Sequence, residues 1–180
     1  SVDLDWELAD TDEFLDSVER REQRADSRAV ARILLPRAVA VIGASDRPGS
    51  VGGAIWRHVT GSVSVPVHAV NPRLDRIGDH PCHRSIDELP DEVSLAVVAV
   101  PATALDDTID ACIAKQMRGA VVVTSVDGTD VDVAALVARA RRNGLRIIGP
   151  SSMGVASPNP ETQLQAALVD VALAAGGLAV

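Results

Sequence analysis

A run of small residues follows the first strongly apolar stretch of the chain, and its composition is typical of a phosphate-binding loop. Residues 38–44 read AVAVIGA, and residues 43–53 read GASDRPGSVGG. Small side chains leave backbone N–H groups accessible, and a helix beginning directly afterwards adds the partial positive charge of its N-terminus. The alternative is an ordinary β-to-α turn whose glycines only relieve crowding. The residues that we assign to phosphate binding are Gly43, Ser45, Arg47, Gly49, Ser50, Val51 and Gly52.

Departures from common nucleotide motifs narrow the choice of ligand. Ser45 stands where G-x-G-x-x-G requires its second glycine, and the only lysine of the chain is Lys115, which excludes a Walker-type loop here. After the second apolar run, where an NAD enzyme places an acid, the chain has Asn71, Pro72 and Arg73. A cation there favours a ribose with an additional phosphate, as in NADP or coenzyme A. The alternative is that Arg73 faces solvent.

The remaining reactive side chains form no known catalytic or metal-binding pattern. His80, Cys82 and His83 lie within four residues around a proline, a spacing that matches no standard zinc site. His58 and His68 fall within a predicted helix and a predicted strand, where structural roles are more usual. The sequence therefore predicts no metal site and no catalytic residue.

Short β-branched runs alternate with helical lengths, which predicts the fold. The predicted strands are nearly continuous apolar runs, as expected when helices cover both faces of a sheet. They occupy residues 38–44, 65–70, 94–100, 119–125 and 145–149, with helices at 51–61, 103–117 and 130–143 and a helical turn at 85–89. Thr129 or Asp130 is the expected cap of the last helix, and Gly144 its expected C-terminal end. We predict an α/β, Rossmann-like doubly wound fold whose mainly parallel sheet has five or more strands.

Composition and charge exclude several classes of protein. The chain has 180 residues, is 47% hydrophobic and has a formal net charge of −8. Residues 1–30 hold ten acidic and four basic side chains, so the rest is nearly neutral, without the basic surface that nucleic acid requires. No apolar run approaches the roughly 18 to 20 residues of a membrane span. Two cysteines form no disulfide framework, and we expect a cytoplasmic location.

The chain divides into three predicted parts. Residues 1–30 are interpreted as an acidic helical linker from a preceding module, with a helix over 10–26 and a second short helix that Pro36 ends. Residues 31–156 are predicted to form the Rossmann-like domain. Residues 157–180 are interpreted as an extension that leads to a following domain.

Six short blocks, taken in order, are similar to the coenzyme A-binding domain of the NDP-forming acyl-CoA synthetases, which are related to the succinyl-CoA synthetase alpha subunit. The resemblance covers about residues 27–180. The blocks are LPRAVAVIGAS (35–45), PGSVG (48–52), VNPR (70–73), SIDELP (85–90), VAVPA (98–102) and GPSSMGV (149–155).

The resemblance implies a binding mode for coenzyme A or an acyl-CoA. It implies that the loop from Ser45 to Gly52 holds the diphosphate and that Asn71, Pro72 and Arg73 flank the adenosine and its 3′-phosphate. It further implies that Val100, Pro101 and Ala102 line the adenine or pantetheine path, and that residues 80–83 lie in a structural loop. Nucleotide (ATP or ADP) would be handled by an ATP-grasp module of the parent, which would be an acid–thiol ligase.

Two departures from the family pattern lie where the thiol end is implied to emerge. The last block usually reads G-P-N-C-L-G, whereas this chain has Ser151 and Ser152. The fourth strand usually continues into S-A-G-F, whereas this chain has Ser125 followed by Val126, Asp127 and Gly128. We include Ser125 and Ser151 among the candidate ligand contacts.

Two other functions remain open. The front segment resembles the connector after an N-acetyltransferase (GNAT) module, so the domain could sense CoA or acyl-CoA and regulate a fused lysine acetyltransferase. An NADP-binding module is a further possibility, because of the general fold and Arg73. A homo-oligomer is possible, and no nucleic-acid or membrane partner is expected.

Overall fold

The structure is a computed structural model that describes residues 30–31 and 33–169. The helix expected over 10–26, the GNAT-like connector and the end of the chain from residue 170 lie outside the described residues. Val30, Ala31, Ile33 and Leu34 are helical, and this helix ends before Pro36 as predicted.

Nine strands and three helices follow along the described chain. The strands are β1 (Val39–Ile42), β2 (Val67–Val70), β3 (Arg76–Ile77), β4 (His80–His83), β5 (Leu95–Val98), β6 (Gly119–Val122), β7 (Arg146–Ile148), β8 (Gly154–Ala156) and β9 (Gln165–Ala167). The helices are α1 (Val51–Ser62), α2 (Leu105–Ala114) and α3 (Val133–Arg142), with single 3-10 turns at Ile86–Glu88 and Ala102–Ala104.

Seven strands form one sheet in the order β3-β4-β2-β1-β5-β6-β7. All neighbours are parallel except β3 and β4, which are antiparallel. The chain moves outward from β1 to β2 on one side and then returns to β5 on the other side. The strand order therefore reverses at β1 and β5, and the predicted doubly wound, mainly parallel α/β fold is confirmed.

Each face of the sheet is covered by its own apolar cluster. Ala40 and Ile42 of β1 belong to the cluster that includes Leu105 of α2 and Leu136 of α3. The alternate β1 residues, Val39 and Val41, belong to the other cluster, together with Ile55, Trp56 and Val59 of α1 and Leu164 and Ala166 near β9. Because both faces are buried, the strands read as continuous apolar runs.

Two local predictions were wrong. Neither Thr129 nor Asp130 caps α3: the helix begins at Val133, and the Asp132 carboxylate accepts a hydrogen bond from the Ala135 N–H at 2.9 Å. The Thr129 hydroxyl instead donates to the Val126 carbonyl at 2.7 Å, within the preceding turn. The His80–His83 stretch is not a loop but strand β4, because it pairs with both β2 and β3.

The C-terminal end of α3 agrees with the sequence. Gly144 follows the helix with φ +79°, and the Leu145 N–H donates to the Ala140 carbonyl at 3.0 Å. A left-handed residue at this position closes the last helical turn, and glycine adopts that conformation without strain.

The chain after β7 turns back onto the domain. β8 and β9 form an antiparallel pair, and the buried Leu164 and Ala166 pack in the same cluster as α1. The His58 Nδ1 atom of α1 lies 2.7 Å from the Ala167 carbonyl oxygen. No helix in the described part of the chain is both long and apolar enough to cross a membrane.

Candidate functional site

The carboxyl ends of β1, β2, β5, β6 and β7 meet at one edge of the sheet, because these strands are parallel. Ligands of open α/β sheets bind at this edge, near the point where the strand order reverses. Residues 43–50, 71–75, 99–104 and 123–132 follow four of these strands. All candidate ligand contacts from the sequence analysis lie in these loops, at the start of α1, or directly after β7.

The turn out of β1 brings two backbone segments into direct contact. Gly43 has φ +86°, and a Cβ atom there would lie 2.5 Å from the Ala99 carbonyl oxygen. A Cβ atom on Gly52, in the first turn of α1, would overlap the Gly43 carbonyl oxygen. Only hydrogen fits at either position, so the helix start lies directly against the end of the sheet. The N-terminal amides of α1 therefore lie beside this loop.

Ser50 is the N-cap of α1 and organises the loop. Its hydroxyl donates to the Arg47 carbonyl at 2.7 Å and accepts from the Gly53 N–H at 3.1 Å. The Val51 and Gly52 N–H groups have no i−4 acceptor in the helix, as in the first turn of any helix. No acidic residue lies in that turn. The helix N-terminus therefore keeps its partial positive charge available for an anion.

Ser45 shapes the other half of the loop. Its hydroxyl oxygen accepts a hydrogen bond from the Arg47 N–H at 3.0 Å. Arg47 and Gly49 are exposed, whereas Ser45 and Ser50 are half-buried. The two serine hydroxyls thus hold the loop backbone in place, and the exposed guanidinium group of Arg47 remains beside it.

Asn71 connects the loop after β2 to the loop at residues 43–50, which the sequence predicts to bind phosphate and which we call the phosphate loop. Its side-chain Nδ2 donates to the Ala44 carbonyl at 2.8 Å, while its Oδ1 accepts from the Arg73 N–H at 2.9 Å. Pro72 and Arg73 are exposed. The turn that presents the Arg73 side chain is therefore fixed to the phosphate loop by one amide group.

A second arginine, Arg84, stabilises this turn, although no motif in the sequence indicated it. Arg84 donates to the Pro72 carbonyl at 3.2 Å and to the Asp75 carboxylate at 2.6 Å. Its own N–H donates to the Glu88 carboxylate at 2.8 Å. Nothing in the local sequence signals these contacts, because they depend on the pairing of β2 with β4.

The loops after β5, β6 and β7 are joined in a similar way. Val100, Pro101 and Ala102 follow β5, and the Val100 carbonyl accepts from the Thr124 hydroxyl at 2.8 Å. The Ser151 N–H donates to the Thr124 carbonyl at 2.9 Å. The Ser151 hydroxyl accepts from the Val126 N–H at 3.2 Å. Thr124, which the sequence analysis missed, thus connects three strand ends.

Neither cysteine is suited to act as a nucleophile at neutral pH. Burial raises the pKa of the Cys112 thiol to about 12 and also raises the pKa of Cys82. A thiol attacks only as its thiolate, and a raised pKa leaves less of each side chain in that form at neutral pH. Within residues 30–31 and 33–169, no group of three or more His, Cys, Asp or Glu side chains is arranged to hold a metal ion.

These observations define a class of protein. A parallel α/β sheet presents, at its switch point, a glycine-lined loop against a helix N-terminus, with arginines on the loop and on the adjoining turn. This arrangement is that of a domain that binds a phosphorylated nucleotide.

Comparison with known proteins agrees with this class. Residues 37–158 match the family model described as a CoA binding domain. The ADP-forming acetate–CoA ligase I of Archaeoglobus fulgidus is 34% identical over 154 residues, which is 82% of this chain and 22% of that protein. The alpha subunit of ADP-forming acetate–CoA ligase II of Pyrococcus furiosus is 32% identical, over 76% of this chain and 31% of the relative.

A solved structure gives the same result. Acetyl-coenzyme A synthetase 1 from Ca. Korarchaeum cryptofilum, described as in complex with phosphate and ADP, has a TM-score of 0.69 and 32% identity. The similarity covers 76% of this chain and 30% of that one.

The chain belongs to the CoA-binding domain family and is homologous to the alpha subunits of ADP-forming acetate–CoA ligases. The resemblance seen in the sequence is therefore confirmed. The chain spans between about a fifth and a third of the length of these relatives.

Proposed function

We propose that this domain presents coenzyme A to the other modules of an NDP-forming acyl-CoA synthetase. In the parent reaction, the CoA thiol attacks the carbonyl carbon of an acyl phosphate held by another domain. The C–S bond forms, the C–O bond to phosphate breaks, and acyl-CoA and inorganic phosphate are released. The phosphoryl group of the acyl phosphate comes from ATP or GTP, which an ATP-grasp module converts to ADP or GDP. The identity of the relatives supports this proposal.

The contact between Gly43 and Gly52 is the observation that carries the proposal. It supports our assignment of the Val51 and Gly52 amides as hydrogen-bond donors to a diphosphate. Ser45 and Ser50 maintain the loop through their hydroxyls, and Gly49 leaves its outer surface open. We assign the CoA diphosphate to this loop, with Arg47 neutralising part of its charge.

The turn after β2 is assigned to the adenosine end. Asn71 holds Pro72 and Arg73 next to the phosphate loop, and the exposed Arg73 guanidinium group is suited to pair with the ribose 3′-phosphate. Val100, Pro101 and Ala102, which follow β5 on the other side of β1, are assigned to the path of the adenine or pantetheine. Ser125 and Ser151, which lie one and two strands further along the sheet, are assigned to the thiol end.

A regulatory function is the second candidate. Ser151 and Ser152 replace the residues that are usual at the thiol end, and this favours binding of CoA or acyl-CoA as a signal to a fused GNAT-type lysine acetyltransferase. A phospho-acceptor histidine and a complete ATP-grasp module in the parent would favour the ligase. In either case we place the parent in the cytoplasm, where both cysteines would stay reduced, and a homo-oligomer is compatible with both functions.

Calorimetry tests the proposed site directly. We expect the chain to bind CoA more tightly than dephospho-CoA, NADP or ADP. Dephospho-CoA and ADP lack the phosphate that we pair with Arg73, and NADP carries its additional phosphate on the 2′ rather than the 3′ position of the ribose. Loss of one charge-assisted phosphate contact corresponds to about a tenfold lower affinity. Replacing Arg73 with alanine should therefore weaken CoA binding and leave dephospho-CoA binding unchanged.

Arg76→Ala is the matched control, because Arg76 is an exposed arginine on the outermost strand. Equal affinities of the unmutated chain for CoA and dephospho-CoA would reject the role of Arg73. Tighter binding of NADP than of CoA would replace the proposal with the dinucleotide alternative.

A further inference from the structure

The loop after β6 carries a carboxylate at the carboxyl edge of the sheet, where we place CoA. Asp127 is exposed, and the ion pairs found among the described residues join other side chains: Arg84 with Asp75, Lys115 with Asp91, and Arg139 with Asp106 and Asp110. The negative charge of Asp127 is thus not offset by any of these pairs. It is available to act on a charged group of a ligand nearby.

The order of the strands gives the direction of the bound ligand. Arg73 follows β2 on one side of the phosphate loop, whereas β5 and β6 lie on the other side. If the 3′-phosphate pairs with Arg73, the pantetheine arm must leave the diphosphate towards β5 and β6. Neighbouring strands are about 4.8 Å apart, so β6 lies about 10 Å from β1. An extended pantetheine arm is long enough to bring its thiol to the loop after β6.

That loop is held in place by contacts to both neighbouring loops. Thr124 binds the Val100 carbonyl, Ser151 accepts from the Val126 N–H, and the Thr129 hydroxyl donates to the Val126 carbonyl. The Ser125 hydroxyl donates to the Asp127 carboxylate at 3.3 Å. The carboxylate is therefore kept near the path of the thiol, rather than on a loop that is free to turn away.

From this geometry, and resting on the proposed function, we propose that Asp127 selects against acyl groups that carry a carboxylate. The charge at the end of a dicarboxylic acyl chain would lie close to Asp127. Two negative charges that lie close together repel each other. Acyl groups without charge meet no such repulsion, and acyl groups that carry an ammonium group are attracted. The preferred substrates are thus monocarboxylic acids whose remaining side chain is neutral or cationic.

Stable thioether analogues of acyl-CoA separate charge from shape. Carboxyethyl-CoA and carbamoylethyl-CoA have almost the same size and differ by one negative charge. We expect the unmutated chain to bind the carboxylate about threefold to tenfold more weakly than the amide at low salt, and aminopropyl-CoA more tightly than either. The difference should shrink in 1 M salt, because the Debye length falls to about 3 Å.

Asp127→Asn should make the affinities for carboxyethyl-CoA and carbamoylethyl-CoA equal without changing the affinity for CoA. Asp79→Asn is the control. Asp79 is an exposed acid in the turn between β3 and β4, which are the strands furthest from β6 in the sheet. Equal binding of the two analogues by the unmutated chain, or a difference that persists in Asp127→Asn, would overturn the role of Asp127. Failure of CoA itself to bind would instead reject the proposed function.

Discussion

At the scale of single residues, the phosphate loop depends on two positions that accept no side chain. Gly43 and Gly52 contact each other through backbone atoms, and Gly43 also contacts Ala99. The position of α1 relative to the sheet is set by this contact, since any Cβ at Gly52 would push the helix start outward. The loop thus combines close packing with a helix N-terminus that is open to an anion.

Gly52→Val should reduce CoA affinity by about tenfold to a hundredfold, because forcing extra atoms into a tight contact costs about 1–3 kcal/mol and displaces the amides that we assign to phosphate binding. Binding would be measured by calorimetry and the fold checked by circular dichroism. Gly61→Val is the matched control, since Gly61 lies in the same helix and a Cβ atom there would meet no other atom within 4 Å. Unchanged CoA affinity in Gly52→Val would show that the diphosphate lies elsewhere.

At the scale of secondary structure elements, the β8–β9 pair packs against α1. Leu164 is fully buried in the cluster that includes Trp56 and Val59, and the Ser64 N–H donates to the Thr162 carbonyl at 2.9 Å. The Thr162 hydroxyl donates to the Leu34 carbonyl at 3.1 Å. Residues beyond 158, where the family match ends, therefore contribute to the core of the described domain.

Leu164→Ala should lower the free energy of unfolding by about 2–5 kcal/mol, because it leaves a cavity between β9 and α1. Urea denaturation would measure the change. Glu161→Ala, an exposed substitution in the same segment, should stay within about 0.5 kcal/mol of the unmutated chain. A loss below about 1 kcal/mol for Leu164→Ala would mean that this segment does not fold as part of the domain.

At the scale of the whole molecule, one histidine links stability to pH. His68 lies on β2, and its Nε2 atom is buried without a hydrogen-bond partner. The His68 and His83 rings are 5.6 Å apart. Burial, followed by the charge of His83, lowers the pKa of His68 below its ordinary value of 6.5, although Glu92 acts in the opposite direction.

His68→Gln should make the free energy of unfolding depend less on pH in the acidic range. In the unfolded chain His68 takes up a proton near pH 6.5, whereas the folded chain does so only at lower pH. Unfolding therefore takes up a proton in this window, so the free energy of unfolding falls as the pH drops below about 6.5. Denaturation between about pH 7.5 and pH 5 would measure this change in the free energy of unfolding. An identical dependence on pH in both proteins would show that His68 is not its cause.

Much of the architecture could be predicted because it depends on local chemistry. Continuous apolar runs such as those at β1 and β5 occur only where both faces of a strand are covered, and glycines at 43 and 52 mark close backbone contacts. The weaker predictions concern elements without a strong local pattern. The β4 strand contains a proline and two histidines, and the cap of α3 is Asp132 rather than the predicted Thr129 or Asp130.

The sequence alone therefore determined the α/β class, the position of the glycine-rich loop between β1 and α1, and the family, because periodicity and short motifs are properties of neighbouring residues. Only the tertiary structure decided which loops are joined: Asn71 to Ala44, Arg84 to Pro72, and Thr124 to Val100. It also placed residues 164–167 against α1. These contacts join residues far apart in the chain, and they arise from strand order and register, which no local pattern specifies.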